Sequence, residues 1–467
     1  MSEVHIVVLG GGPAGCGAAY QLRKEGKAKV TLIEQTQMLG GNSGSFEVDG
    51  QYLDFGSHRL HAACDPEILR DIKQMLGDDL AHRDRHGRIR LRDKWLHFPL
   101  KTTDLMMRLD KPFAFGAAWD VLKRTLFGKG DEGTTFASVL KANLGQTICE
   151  HFYFPYSRKL WGHEPDKLSG IQAHKRVSAG SISKIIKRLA KPPGAGKFYY
   201  PRKGFGQISE VYAQEGEKLG AKIKMGWSAN KVVQLQGGGF DIELVNKAGD
   251  KENLKADQIW STIPVTILSK MIEPSVPQEV LTAAEKITYR SMVLVYLSLP
   301  VDQWTTTDAH YFPEKDIHMT RISEPKNYFG LQEPKGQTIV CAEIPCERGD
   351  AIWNMSDEEL GHLILQDMAT ADLPIHEPSK VFSKRLPQAY PIYTMGYEND
   401  LNAMDNWIDA IPNLLIYGRQ GFFAHDNTHH ALYMAYSAVN CLDSEGNFDH
   451  NRWLEYRDIF ATHVVED

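Results

Sequence analysis

The sequence predicts an α/β protein in which a parallel sheet is assembled from separated parts of the chain. Residues 5–33 read as an apolar strand, a glycine turn, a helix and a second apolar strand. Two more apolar strands, around residues 259–264 and 413–418, arrive far downstream, and each ends at a turn marked by proline or glycine. Between these parts the texture changes. Residues 80–197 are rich in aromatics, and residues 285–385 hold strand-like runs such as Met292-Val293-Leu294-Val295-Tyr296-Leu297.

The first element is the strand His5-Ile6-Val7-Val8-Leu9, and residues 14–24 read as the helix that follows. Gly10, Gly12 and Gly15 occupy the turn between them in a G-x-G-x-x-G spacing, with Pro13 and Ala14 inside it. The first glycine permits the tight turn, the second lets backbone approach a pyrophosphate, and the third lets helix pack on strand. The helix N-terminus then faces the phosphates. The second strand, residues 29–33, ends at Glu34, where a carboxylate can accept hydrogen bonds from an adenosine ribose. This β-α-β unit points to a bound dinucleotide, and alone it suits NAD as well as FAD.

After Glu34 come Met38-Leu39-Gly40-Gly41-Asn42-Ser43 and then Asp54-Phe55-Gly56-Ser57-His58. A strand, an acidic residue and a double-glycine loop resemble the FAD-binding start of the amine oxidase, protoporphyrinogen oxidase and phytoene desaturase superfamily. The resemblance implies FAD, with Gly40, Gly41, Asn42 and Ser43 running along the pyrophosphate toward the flavin. It also implies a Rossmann-like FAD-binding domain in pieces, with an interleaved α+β substrate-binding domain over the flavin.

The later pieces follow in order. Residues 199–207 precede a helix over residues 208–219, and residues 222–225 and 231–235 read as strands. In the superfamily a strand like that around Val232 lays its backbone on the adenine. Residues 259–264 resemble the strand that ends at the A-x-P turn of these flavoproteins. Residues 413–419 form an apolar strand closed by Gly418 and Arg419, and residues 427–442 read as the helix after it, with Asn427 and Thr428 as cap and flavin contact. The expected division is residues 1–79, 198–284 and 386–467 for the FAD domain, and 80–197 and 285–385 for the substrate domain. Ser356-Asp357-Glu358-Glu359 is a capping box opening a helix to about Met368.

The segment Tyr156-Ser157-Arg158-Lys159-Leu160-Trp161-Gly162 is similar to the Y-x-x-K-x-W-G element of UDP-galactopyranose mutases and of protoporphyrinogen-oxidase-like enzymes of glycan biosynthesis. Gly56-Ser57-His58-Arg59-Leu60-His61 resembles the mutases' G-x-H-x-x-H, Leu96-His97-Phe98-Pro99-Leu100 their F-P strand, and Gly418-Arg419-Gln420-Gly421 their G-R-x-G. The mutases then carry a tyrosine pair that grips the substrate diphosphate, whereas this chain has Phe422-Phe423-Ala424-His425-Asp426-Asn427-Thr428-His429-His430. The resemblance implies substrate contacts at Tyr156, Trp161 and Arg202, a flavin-side His58, and Arg419 beside flavin and substrate phosphates. His58, His425, His429 and His430 are the candidates for proton transfer with a substrate hydroxyl or amine. His425 and His429 would share a face if they lay on one helix, but no H-E-x-x-H pattern accompanies them and no metal is expected.

Composition sets the remaining bounds. The chain has 467 residues, 42% hydrophobic and 24% charged, which is ordinary globular composition. A net charge of −6 argues against general nucleic-acid affinity. Six cysteines without a C-x-x-C pair suit a reducing compartment, and the absence of a leader-like or 18-residue apolar segment adds to a cytoplasmic expectation. One local exception is basic: residues 167–209 contain no acidic side chain. Within it, the stretch opening on Ser181 and closing on Leu189 alternates apolar and basic faces, suited to a diphosphate or to an anionic membrane surface.

The functional expectation is an FAD-dependent oxidoreductase that takes a hydride from a hydroxyl- or amine-bearing carbon of a sugar-nucleotide or glycan-type small molecule, its electron acceptor unassigned. The alternatives are a mutase-like isomerase using reduced FAD as nucleophile, a protoporphyrinogen oxidase- or phytoene desaturase-like enzyme, and a non-catalytic flavin-bound scaffold.

Overall fold

The apolar strand His5–Leu9 takes the centre of a five-stranded sheet because both its faces are covered. In order, that sheet runs Lys222–Met225, Lys29–Glu34, His5–Leu9, Gln258–Ser261 and Leu414–Ile416, all parallel. Three segments far apart in sequence thus build one α/β layer, as the strand pattern predicts. The computed structural model describes residues 3–98, 108, 110–128, 130–176, 196–274 and 276–465. The stretch from Ser181 to Leu189 lies outside the described residues, as does the Pro99-Leu100 end of the F-P element.

On one face of the parallel sheet the helices Pro13–Lys24, Gln207–Lys218 and Thr428–Asn440 pack side by side. Small residues on the first, Cys16, Ala18 and Ala19, are fully buried and let the other two approach. On the other face, Val7, Leu9, Ile33 and Ile259 pack with Val232, Ile242 and Leu244 of a four-stranded sheet and with Met404 and Ile408. The predicted helices and strands reappear with ends shifted by a few residues. The strand expected over residues 231–235 starts earlier, at Trp227, because its antiparallel pairing with Phe240–Asn246 continues through a bulge between Ala229 and Lys231.

A seven-stranded sheet forms the second body, in the order Lys380–Pro391, Tyr289–Leu299, Thr338–Cys346, Arg321–Ser323, Ala309–Tyr311, Gly87–Leu91 and Lys94–Phe98. Two of its inner strands, Tyr289–Leu299 and Thr338–Cys346, are mainly apolar and are buried along almost all of their length. Leu360, Ile364 and Met368 of the helix Asp357–Thr370 cover one face, and the Ser356/Glu359 capping box opens that helix. The other face packs on the hairpin Ser45–Val48/Gln51–Asp54. Asp54 ties the pieces together: Ser45 Oγ, Tyr200 Oη and the Phe205 N–H all donate to its carboxylate, at 2.6, 2.6 and 2.8 Å, and Tyr296 Oη donates to its carbonyl.

The expected division at residues 385/386 falls within the strand Lys380–Pro391, and that at 284/285 within the helix Gln278–Lys286. All six cysteines are buried and unbridged. Among the described residues no helix is long and apolar enough to cross a membrane.

Candidate active site

A cavity of about 390 Å³ opens where the strand ends of the parallel sheet meet the seven-stranded sheet. One wall is the glycine loop, Gly10 to Ala14, facing the double-glycine loop, Gly40 to Ser43. The two loops are tied by the Gly40 N–H, which donates to the Gly11 carbonyl at 2.8 Å. Glu34 lies beside them: its Oε2 accepts the Gly11 N–H at 2.8 Å, and its Oε1 accepts the Thr36 N–H and hydroxyl. The helix Pro13–Lys24 begins at Gly12 with no side-chain cap and no acidic residue in its first turn, so its amide donors and positive end remain open to an anion.

The glycines divide their work. A Cβ at Gly15 would stand 1.9 Å from the Gly10 carbonyl oxygen, so this position serves helix-on-strand contact and sits off the cavity. A Cβ at Gly12 would meet nothing within 4 Å, so the chain itself does not need glycine there. The space in front of Gly12 is the space a pyrophosphate needs.

His58 is on the same cavity, with its Nε2 2.9 Å from the Phe55 carbonyl and its ring stacked on Phe205. The carbonyl only accepts, so Nε2 carries the proton and Nδ1 is left as an acceptor. Burial, with Arg321 and Arg419 nearby, pushes the His58 pKa down to about 4 despite that bond, and the ring is neutral at neutral pH. The preceding residue is fixed as well: the Ser57 N–H donates to Glu343 Oε1 at 2.7 Å, and Arg321 grips the same carboxylate with Nε and Nη2, both at 2.8 Å.

Arg419, in the short helix Gly418–Gly421, also lines the cavity. Its Nη2 donates to the Ala389 carbonyl at 2.8 Å and its guanidinium lies over Tyr390. Asp426, Asn427 and Thr428 follow it on the wall. Gly418 is off the wall, where a Cβ would crowd Ala14 at 2.9 Å.

The histidines expected beside them turn elsewhere. The helix starts only at Thr428, so His425 precedes it and shares no helical face with His429. His425 is fully buried against Tyr393, with burial and the charges of Arg176 and Arg419 holding its pKa well below the usual range. His429 is buried in the first turn, its pKa pushed down to about 3 by burial and by the neighbouring His430. His430 accepts the Asn427 N–H as part of the helix cap and stacks on His463. None of the three lines the cavity. His430, His463 and Asp426 do converge, with each ring Nδ1 within 3.4 Å of Asp426 Oδ1.

Four other expected residues also lie off the cavity. Val232 is fully buried and spends its N–H on the Met271 carbonyl in sheet pairing. Trp161 turns inward against Phe136, and Tyr156, on the same helix, stacks on Phe152. Arg202 is half-exposed, paired with Asp79 at 2.8 Å and lying over Phe329.

In their place the wall is completed by residues that motif reasoning passes over: Arg59, Arg85, Lys197, Phe198, Tyr311 and Arg321. Tyr311 and Arg321 lie on strands of three residues, too short to show periodicity. Arg59 stands inside the Gly56–His61 motif, one position past His58.

The residues present fit FAD: open space at Gly12, a carboxylate fixed at Glu34, an uncapped helix end, and a cavity that continues past His58 and Arg419. Comparison with known proteins agrees. Residues 13–431 match the family of flavin containing amine oxidoreductases. Protoporphyrinogen oxidase 1, chloroplastic, of Arabidopsis thaliana is 23% identical over 465 residues, covering 90% of this chain and 83% of that protein. Coproporphyrinogen III oxidase of Bacillus subtilis (strain 168) is 21% identical over 457 residues, covering 89% and 93%. The crystal structure of reduced UDP-galactopyranose mutase superposes with a TM-score of 0.81 at 19% identity, covering all of both chains, which shows the shared fold. The chain belongs to the flavin containing amine oxidoreductase family, and its cofactor is FAD.

Proposed function

We propose that this flavoprotein oxidises a hydroxyl- or amine-bearing carbon of a sugar-nucleotide or glycan-type substrate. The observation that carries the reading is one continuous cavity, walled on one side by the nucleotide loops and on the other by His58, Arg419 and the seven-stranded sheet. FAD, when bound, supplies the two-electron acceptor for the hydride.

The chain's own residues position the substrate. His58, held neutral, offers Nδ1 as an acceptor for the substrate hydroxyl or amine, and its Nε2–H bond to Phe55 fixes the ring. With a pKa near 4 the ring orients the group without keeping its proton, which passes to water as the carbon becomes a carbonyl or imine. Arg419 sets a fixed positive charge on the same wall. Asp426 rather than the neighbouring histidines is the titratable group of its segment that reaches the cavity.

A porphyrinogen-type substrate is the second reading, favoured by the relatives of Arabidopsis and Bacillus. An isomerase of the mutase kind is supported by fold alone. A diphosphate on the substrate, peripheral membrane contact through residues 181–189 and a cytoplasmic site belong to the same proposal, supported by the basic stretch and composition.

The test is product analysis after aerobic incubation of the holoprotein with sugar nucleotides, glycans, amines and porphyrinogens. Oxygen uptake with a product lighter by two hydrogens, or a multiple of two, supports oxidation and names the class. A product of unchanged mass overturns it.

A further inference from the structure

We propose that Arg59 and the Tyr311 hydroxyl form an oxyanion subsite on the cavity wall, so that the substrate carries a carboxylate or a phosphate. The assignment rests on the flavoenzyme reading above and adds the charge of the substrate and the residue that selects it.

The guanidinium of Arg59 lies near two aromatic rings set edge to face, Phe198 at 5.4 Å and Tyr328 at 4.9 Å from its carbon. Its Nη1 reaches Tyr311 Oη at 3.5 Å. Its Nε and Nη2, which make up one bidentate edge of the fork, are buried with no hydrogen-bond partner among the described residues. A neighbouring arginine on the same wall shows what that edge is for. Arg321 uses Nε and Nη2 to hold both oxygens of Glu343, whereas among the described residues no carboxylate meets the same edge of Arg59.

Leaving a desolvated guanidinium edge unpaired is unfavourable, and a ligand oxyanion removes that penalty. Arg59 lines the cavity, so an oxyanion bound there lies beside its guanidinium. The local charge agrees. Arg85 and Lys197 share this wall, while the acids on the cavity, Glu34 and Asp426, are engaged by Gly11 and Thr36 or lie against His430 and His463. Asp308, whose charge acts on Arg59, accepts the His86 N–H. Planar bidentate recognition suits carboxylate and phosphate alike.

The test titrates the FAD-loaded protein with phenyl phosphate, benzoate and neutral benzamide, following the flavin absorption band and, independently, tryptophan fluorescence. At least one anion is expected to bind saturably and benzamide at least tenfold more weakly, the better anion distinguishing phosphate from carboxylate. Arg59→Gln should raise the dissociation constant of that anion by roughly tenfold to a hundredfold while flavin content is unchanged. Arg59→Lys, which keeps the charge without the fork, should recover part of the affinity, and Tyr311→Phe should lose a smaller part. If Arg59→Gln does not fold, Arg59→Lys and Tyr311→Phe carry the test. Equal binding of benzamide, absence of anion binding, or indifference to all substitutions overturns the subsite. Protein that retains no flavin counts against the cofactor assignment, and the fluorescence titration then still reads the subsite.

Discussion

Glu34 reaches back to the glycine loop and accepts the Gly11 N–H on Oε2 at 2.8 Å, while Thr36 occupies its Oε1. The carboxylate thus shapes the loop as well as standing where a ribose would meet it. Glu34→Gln replaces an acceptor by an amide or forces the side chain to turn. Losing a charge-assisted bond of this kind costs about 1.5–3 kcal/mol, so FAD release measured by flavin fluorescence should be at least tenfold easier in the variant.

The paired glycines give a contrast within one motif. Gly15→Ala drives a Cβ to 1.9 Å from the Gly10 carbonyl and should lower the melting temperature and abolish flavin retention together. Gly12→Ala meets nothing within 4 Å, so the apoprotein should melt as the parent does while FAD affinity falls sharply. A Gly12→Ala protein that binds FAD normally would show that the pyrophosphate lies elsewhere.

Acid stability should fall in a defined window. Burial lowers the pKa of His58 to about 4 and of His310 and His429 to about 3, from a usual 6.5. Each shift is a depression, so the unfolded chain binds the protons first. Stability is complete above pH 6.5 and drains as the pH falls toward 4, by about 1.4 kcal/mol per pH unit for each histidine. Urea denaturation between these limits should show that slope, and His310→Gln should flatten it by about one histidine's share, since His310 packs between Trp95 and Trp304 away from the flavin loops.

The Arg321–Glu343 pair should matter more than a surface bridge. Both side chains are largely buried and the fork is bidentate, with Ser57 sharing one oxygen. Glu343→Gln leaves the guanidinium without its counter-charge, and about 3–5 kcal/mol of stability should be lost in chemical denaturation. Substrate turnover should also drop, because Ser57 adjoins His58.

Much of the nucleotide half was legible in the sequence because its signals are local. The glycine spacing, the strand ending at Glu34 and the double-glycine loop place backbone against a ligand within a short span. The substrate wall was not, because it is made by long-range pairing. Tyr311 joins Ile89 across parallel strands, and Arg321 faces Glu343 across an antiparallel pair, with neither strand long enough to be read alone. The histidine segment misled for a specific reason. Where the helix begins decides which side chains turn to the cavity, and a start at Thr428 gives the wall Asp426, Asn427 and Thr428 and sends His425, His429 and His430 into packing and capping.

Hydride transfer from a bound substrate to flavin is the step on which the proposed function stands. Anaerobic titration of the oxidised holoprotein with sugar nucleotides, porphyrinogens and amines, following the flavin absorption band, tests it most directly. Full bleaching by one substrate class is expected, at one two-electron equivalent of substrate per flavin, slowed by His58→Gln. An unbleached flavin throughout, together with rearrangement of a nucleotide sugar by the dithionite-reduced protein, would contradict it.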